Sequence, residues 1–366
     1  MAEDKKDAAA PSSYELIGPG VIIDFPDGDD DGGPPPEGPV AVVLRLAVQD
    51  ARVALGRARF WVISTIAILA SWLVAVPVVL LMSGGGYPPE VQGWGYLLTS
   101  ACLTLTASLL ATHWGLSRLR TGPGQDSGTV DHARSSGPLR PWIAAMGRGL
   151  VFTAVATAVL LVLAVSSGGP VAIAGVAAVV MLLEFVVFSA IGAGAESWSE
   201  RRPAAVVTGW LVGLILAVGN VAAAIALLPA VRADEPVSVA LNVQRDYGSE
   251  RLVSYECAGE IVGAAEVFHT ERIIWLAAAN PVVIFGLLAG QAVEGENSIA
   301  WLPGELQAAA EGPSRQVACV NAEEMAEPAT ELPLSFSGPA LQLAVAGVFL
   351  AAGGRAARRR QQAAVS

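Results

Sequence analysis

The chain has 366 residues, of which 53% are hydrophobic and only 15% are charged. This composition excludes an ordinary soluble domain and indicates an integral membrane protein. The net charge of −11 does not describe a soluble acidic surface, because the acidic residues concentrate in an N-terminal segment and in one late polar region. We expect both regions to lie in water.

The N-terminal part of the chain divides into a polar tail and a helix. Residues 1–39 contain the stretch DFPDGDDDGGPPPEGP, which is too acidic and too rich in proline and glycine to form a core, so we expect a disordered cytoplasmic tail. Residues 40–59 repeat apolar side chains at helical spacing: Leu44, Val48, Ala51, Leu55 and Ala58. Arginines line the adjacent face, which predicts an amphipathic helix at the membrane interface. The alternative is a plain helical extension of the first span.

Five apolar stretches follow in residues 60–231, and each is about as long as a helix that crosses a bilayer. They are Phe60–Met82, Trp94–Trp114, Gly149–Val165, Val171–Ala193 and Ala204–Val231. The polar loop at residues 115–147 carries four arginines: Arg118, Arg120, Arg134 and Arg140. A second loop occupies residues 195–203, and a sixth span at residues 339–354 precedes a basic tail at residues 355–366. The sequence therefore predicts an all-α polytopic membrane protein with six transmembrane helices.

The distribution of basic residues predicts the orientation of these spans, because arginine and lysine mark the cytoplasmic side. If the N-terminus is inside, both arginine-bearing loops and the C-terminal arginine cluster are inside as well. Residues 232–338 hold sixteen acidic residues against five arginines. They follow the fifth crossing of the membrane, which places them outside if the N-terminus is inside. We therefore expect a multi-pass protein of the cell membrane with both termini in the cytoplasm.

A second apolar run lies within that outer region. Ile273–Gly290 (IIWLAAANPVVIFGLLAG) could enter a membrane, but Asn280-Pro281 interrupts it. Proline removes a backbone donor and clashes with the preceding turn. A seventh full span would also move the C-terminal arginines outside. We therefore predict an outer re-entrant pair of helices at residues 273–290, partly buried among the spans, with a kinked seventh span as the alternative.

The remainder of the outer region has strand and cysteine signals. Val237–Val243 alternates like a half-exposed strand, and Leu252–Tyr255 could pair with it. Cys257 and Cys319 flank the broken apolar run, and on an oxidising face they could form a disulfide. We therefore expect a small β-containing extracytoplasmic region, with the cysteine pairing left open because sequence does not fix their distance.

Signals for catalysis are weak. The chain contains no HExxH, CxxC or GxSxG motif, and it lacks a lysine after Lys6, so it cannot carry a phosphate-binding loop of its own. We expect no enzyme activity, cofactor, metal site or nucleic-acid partner. Glu184 is the one acid inside a span, where it is either a proton or cation site or a neutral carboxyl bonded between helices, with Asn220 as a potential partner. Among these alternatives we favour the structural one.

Two stretches of the sequence resemble a known family. Trp275–Gly290 (WLAAANPVVIFGLLAG) and Ile191–Gly213 (IGAGAESWSERRPAAVVTGWLVG) are similar to the permease subunits of ABC type 2 exporters from high-GC bacteria. The resemblance implies six spans, an amphipathic elbow helix at residues 40–59, and a re-entrant helix pair between the fifth and sixth spans. One departure is residues 121–141, rich in glycine and proline, where the family carries a charged coupling helix.

The resemblance also implies function and partners. We expect the membrane-spanning subunit of an ATP-driven exporter, which lines a translocation pathway together with a second permease chain in the lipid bilayer. A separate cytosolic ABC ATPase would supply hydrolysis, facing the four arginines of the loop after the second span. The alternative is a non-transporting membrane scaffold or a regulatory sensor protein, which the flexible loop after the second span favours.

Overall fold

A computed structural model describes residues 39–84, 94–117, 137–245, 252–293, 302–323 and 333–365. Within these residues the protein is mostly helical, and six helical stretches are long and apolar enough to cross a membrane. The protein is thus of the multi-pass membrane class. Residues 1–38 of the predicted N-terminal tail lie outside the described residues. Three of the four arginines predicted to face an ATPase also lie outside them: Arg118, Arg120 and Arg134.

The first described helix, α1, covers Pro39–Leu55. A turn at Gly56 and Arg57 separates it from the first span. The packed face of α1 carries Leu46, Ala47 and Ala51, whereas two members of the predicted stripe, Leu44 and Val48, are exposed. Helical periodicity therefore identified the helix but not the face that packs against protein. In a membrane protein both faces can be apolar, because lipid is as apolar as the core.

Five of the six spans follow in order, and each is a helix or a pair of helices. They are α2 (Ala58–Gly84), α3 (Trp94–Gly115), α4 (Leu139–Ser167), α5 (Val171–Trp198), and α6 with α7 (Arg202–Leu214 and Asn220–Leu227). A π-helical segment, Ile215–Gly219, joins α6 to α7. Such a segment inserts an extra residue into a helix and is often found at functional sites.

Among its described residues, the region between the fifth and sixth spans contains a hairpin and three short α-helices. Strands β1 (Arg232–Arg245) and β2 (Leu252–Phe268) pair antiparallel, with Ala240 opposite Cys257. Helices α8 (Ile274–Ala278), α9 (Pro281–Ala292) and α10 (Leu302–Glu311) follow. Both strands are longer than the predicted ones, and α10 had no counterpart in the sequence prediction. The last span, α11, covers Leu334–Val365.

Among the boundaries that differ from the sequence prediction, two have local reasons. Helix α4 begins ten residues before the predicted Gly149, at Leu139, because Pro141 lies in the first turn, where its missing N–H is not needed. As a result Arg140 is not part of the loop but is buried in α4, where it pairs with Asp50 of α1 at 2.8 Å. Helix α11 continues through the predicted basic tail, since alanine, arginine and glutamine favour helix.

Helices α3 and α5 form the centre of the bundle. Buried residues make up 61% of the apolar stretch of α3, against 28% for the first span. Close approach of the two helices depends on small residues: a Cβ added at Gly192 would lie 2.6 Å from the carbonyl oxygen of Thr112. An aromatic cluster fills the adjacent space, with the Trp114 ring stacked 5.5 Å from Phe185. This tight pairing brings Ser108 on α3 against Glu184 on α5.

If each of the six spans crosses the bilayer once, parity places both ends of the described chain on one side. Helix α1 and the C-terminal end of α11 lie there, and we name it the α1 end. The β1–β2 hairpin and α10 lie at the opposite side, named here the hairpin end. The pair α8–α9, named here the broken pair, extends from the hairpin into the bundle, where Ile284, Phe285 and Ala289 belong to the main apolar core.

Candidate functional site

The break between α8 and α9 is a helix start, not a kink within one helix. Asn280 is extended (φ −84°, ψ 135°), and its side-chain oxygen accepts a hydrogen bond from the backbone N–H of Val282 at 2.9 Å. Asparagine is a preferred residue at this capping position, and proline is favoured directly after it. The Asn280-Pro281 pair therefore ends one helix and begins the next.

The amide of Asn280 also ties the break to the fifth span. Its Nδ2 atom donates to the carbonyl oxygen of Ala217 at 2.7 Å and to Oδ1 of Asn220 at 3.1 Å. Ala217 lies in the π-helical segment, and Asn220 is the first residue of α7. Both asparagines are buried. The π-helical segment of the fifth span is thus hydrogen-bonded to the break of the broken pair.

The sixth span holds the other side of the break. Gln342 of α11 donates from Nε2 to the carbonyl oxygen of Ala279 at 2.9 Å. One turn earlier, Gly338 packs so closely that a Cβ there would overlap the carbonyl oxygen of Ala278. Only a glycine allows the backbones of α11 and α8 to approach to this distance. The break is therefore in contact with α11 through both main chain and side chain.

Glu184 connects the break to the centre of the bundle. Gln342 donates a second hydrogen bond to Oε1 of Glu184 at 3.2 Å, and the hydroxyl of Ser108 lies 3.0 Å from Oε2. The carboxyl is fully buried. Glu184 does not bond Asn220, the potential partner considered from sequence: its two oxygens contact Gln342 and Ser108, and Asn220 accepts from Asn280. Helices α3, α5, α11 and α6–α7 thus all contribute to one polar network around the break.

Two members of this network were missed from sequence. Gln342 is the single polar side chain in the predicted last span, a signal as strong as Glu184 in the fourth. Ser108 carried little signal, because serine and threonine are scattered through α3. Two buried atoms of the network lack a hydrogen-bond partner among the described residues: Oε1 of Gln342 and Nδ2 of Asn220. An unpartnered buried polar group costs about 1–3 kcal/mol, so this arrangement is not fully satisfied.

At the hairpin end, a disulfide joins Cys257 of β2 to Cys319, 62 residues further along the chain. Cys319 is buried with Leu252 and Tyr255 in a small apolar cluster. The hydroxyl of Tyr255 donates to the carbonyl oxygen of Ser314 at 3.2 Å. The pairing that sequence left open is therefore present, and it closes a loop that contains the whole broken pair.

A second polar cluster, named here the ionic clasp, lies between the hairpin and α8. Nδ1 of His269 is 2.8 Å from Glu271, and Nε2 is 3.0 Å from Glu235. Each ring nitrogen of His269 thus faces a carboxylate, which is an acceptor group when ionised. Asn321 also donates to Glu235. Hydrogen bonds from Asn321 and His269 lower the pKa of the Glu235 carboxyl.

Neither a metal site among the described residues nor a matching protein family indicates a function. Within the described ranges, no group of three His, Cys, Asp or Glu side chains could hold a metal ion. No protein-family model matches the chain, and no curated protein is significantly similar to it. The geometry of the break and of the spans around it is therefore the basis for assigning a function.

Proposed function

We propose that the protein is the membrane-spanning permease subunit of an ATP-driven ABC exporter, forming its pathway with a second permease chain. The observation that carries this proposal is the broken pair between the fifth and sixth spans, with its break hydrogen-bonded to both of these spans. A loop that folds back into a bundle is tolerated in a membrane only where protein surrounds it. A separate helix, α1, before the first span adds support, because it lies where the elbow helix is expected.

The break is suited to couple movement of the spans to the hairpin end of the pathway. Asn280 is bonded to α6–α7, while Ala279 is bonded to α11. A tilt that separates these spans at the level of the break would lengthen at least one of the two contacts. Each hydrogen bond contributes about 0.5–1.5 kcal/mol net, so an ATP-driven cycle could exchange them readily. Movement at the α1 end would then open or close the hairpin end.

We infer the orientation from charge and disulfide chemistry. A structural disulfide persists on an oxidising side of a membrane, which favours an extracytoplasmic hairpin end. Arginines cluster at the opposite end, at Arg201, Arg202 and Arg358–Arg360. The cytosolic ATPase would then dock at the α1 end, near the ion pair of Arg140 and Asp50. Labelling of a cysteine introduced as S366C from outside intact cells would contradict this orientation.

Co-purification tests the partner directly. The tagged chain is extracted in mild detergent, and ATP hydrolysis is measured in the purified complex, with an unrelated six-span protein carrying the same tag as the control. We expect a separate ATP-hydrolysing protein to accompany this chain and not the control. If none accompanies it, and no ATPase of the host is stimulated by it, the exporter proposal fails.

A second proposal is a non-transporting scaffold or sensor. The observation that favours it is the hairpin, which presents apolar side chains to solvent on both strands, among them Leu241, Val253 and Ile261. Exposed apolar side chains on a two-stranded sheet are typical of a surface that binds another protein. A hairpin-directed partner found in the same purification, without any ATPase, would support this function over the exporter.

A further inference from the structure

The protonation state of Glu184 can be inferred from the hydrogen atoms that its neighbours have available. The hydroxyl of Ser108 lies 3.0 Å from Oε2 of Glu184 and 3.0 Å from the carbonyl oxygen of Thr104. A serine hydroxyl has one proton, and a carbonyl and an ionised carboxylate both only accept. With Glu184 ionised, one of these two short contacts would contain no proton at all.

A neutral Glu184 resolves this shortage. Its Oε2–H group donates to Ser108, and Ser108 passes its own proton to the carbonyl oxygen of Thr104. The other carboxyl oxygen, Oε1, accepts from Gln342, whose second amide proton is used by Ala279. In this relay of Glu184, Ser108 and Gln342, every side-chain donor hydrogen has one acceptor. The carboxylic acid is thus satisfied as a donor through α3 and as an acceptor through α11.

Charges on the surrounding helices point the same way. The titratable groups on α5 itself and on the helices packed against it are Tyr96, Cys102, His113, Arg140, Arg148, Glu196, Arg202, Arg355, Arg358, Arg359 and Arg360. Arg140 is paired with Asp50, and Arg148 lies 5.7 Å from the centre of the Trp114 ring. Within the described residues Glu184 has no ion-pair partner, and a buried carboxylate without a cation is costly in a membrane.

We propose that Glu184 is a proton-binding site within the membrane, and that it holds its proton whenever Gln342 joins it to the closed break at Ala279. The carboxyl can ionise only where water or a cation reaches it. Movement of the broken pair away from α11 would provide that access. Closure of the break and uptake of one proton are therefore linked, and higher pH favours the open arrangement. Proton binding at Glu184 does not require an ATPase partner.

Infrared spectroscopy of the purified full-length chain at neutral pH tests the bound proton. We expect a carboxylic acid C=O band that is lost in Glu184→Gln and retained in Glu196→Gln, a carboxyl near the end of the same helix. A band of equal intensity in wild type and Glu184→Gln, or no band in either, overturns the proposal. Ser108→Ala tests the relay if Glu184→Gln fails to fold. The band should then persist but shift, because the acid loses its acceptor, and an unshifted band contradicts the relay.

Hydrogen exchange tests the link between proton and break. Amide exchange of residues 274–282 is measured against pH and corrected for the intrinsic pH dependence of exchange. In wild type we expect protection of these amides to fall as pH rises. In Glu184→Gln, which has no proton to lose, protection should be independent of pH, while Glu196→Gln behaves like wild type. An identical pH dependence in wild type and Glu184→Gln overturns the linkage even if the carboxyl is neutral.

Discussion

The broken pair is held by two sets of contacts of opposite chemistry. Inside the bundle, amide groups, backbone carbonyls and one carboxyl surround the break, and no ion pair forms there among the described residues. At the hairpin end, the contacts of His269 with two carboxylates and a disulfide hold the entry to α8. An unpaired charge is costly in a membrane but not in water. Inside the bundle the break is therefore held by hydrogen bonds, whereas carboxylates and a disulfide hold the hairpin end.

A large loss of global stability is expected where backbones touch inside the bundle. Gly338→Ala would place a Cβ against the carbonyl oxygen of Ala278, so α11 or α8 must move. Overpacking of this kind typically costs about 1–3 kcal/mol, and a clash with main chain should reach the upper end. Thermal unfolding in detergent measures the loss. Gly347→Ala is the matched control, because its Cβ meets nothing within 4 Å, and equal stability of the two variants would contradict the close packing.

Removal of the disulfide should affect the hairpin end alone. In Cys257→Ser/Cys319→Ser the loop of 62 residues is no longer closed, and a native disulfide typically contributes about 2–4 kcal/mol. We expect faster proteolysis and faster amide exchange in β1 and β2, with α3 and α5 unchanged. Cys102→Ser serves as the control, since Cys102 is not paired. Equal protection of the hairpin in both variants would show that the disulfide does not stabilise it.

Gln342→Leu tests the contact between the sixth span and the break. The carbonyl oxygen of Ala279 and Oε1 of Glu184 lose their donor, while the unpartnered Oε1 of Gln342 is removed as well. We expect the free energy of unfolding to fall by about 1–3 kcal/mol, because two acceptors lose their donor and only one unpartnered atom is removed. Thermal unfolding measures this change. Gln362→Leu, an exposed position on the same helix, should be nearly neutral. A variant as stable as Gln362→Leu would mean that the amide contributes little to holding the break.

The break itself could be read from sequence, but its partners could not. Asn280-Pro281 is a local signal, since capping and proline sterics depend on neighbouring residues alone. The contact of Gln342 with Glu184 joins residues 158 apart and depends on how three helices pack. Hydropathy predicted all six apolar stretches, yet it could not tell that Leu44 and Val48 of α1 are exposed while Leu46 is buried. In a membrane, a helix face that contacts lipid and a face that packs against protein both carry apolar side chains, so hydropathy does not distinguish them.

The smallest effect concerns the ionic clasp and acidic pH. Hydrogen bonds from Asn321 and His269 lower the pKa of Glu235 in the folded protein, so its carboxylate stabilises the fold above the unfolded pKa. That stability is lost as pH falls through the lowered folded value, below the ordinary glutamate pKa of 4.5. Amide exchange of β1 should therefore accelerate in acid, and Glu235→Gln should remove part of this dependence. Glu260→Gln, an exposed carboxyl on β2, is the control, and equal acid dependence in both variants would show that the clasp does not couple Glu235 to the fold.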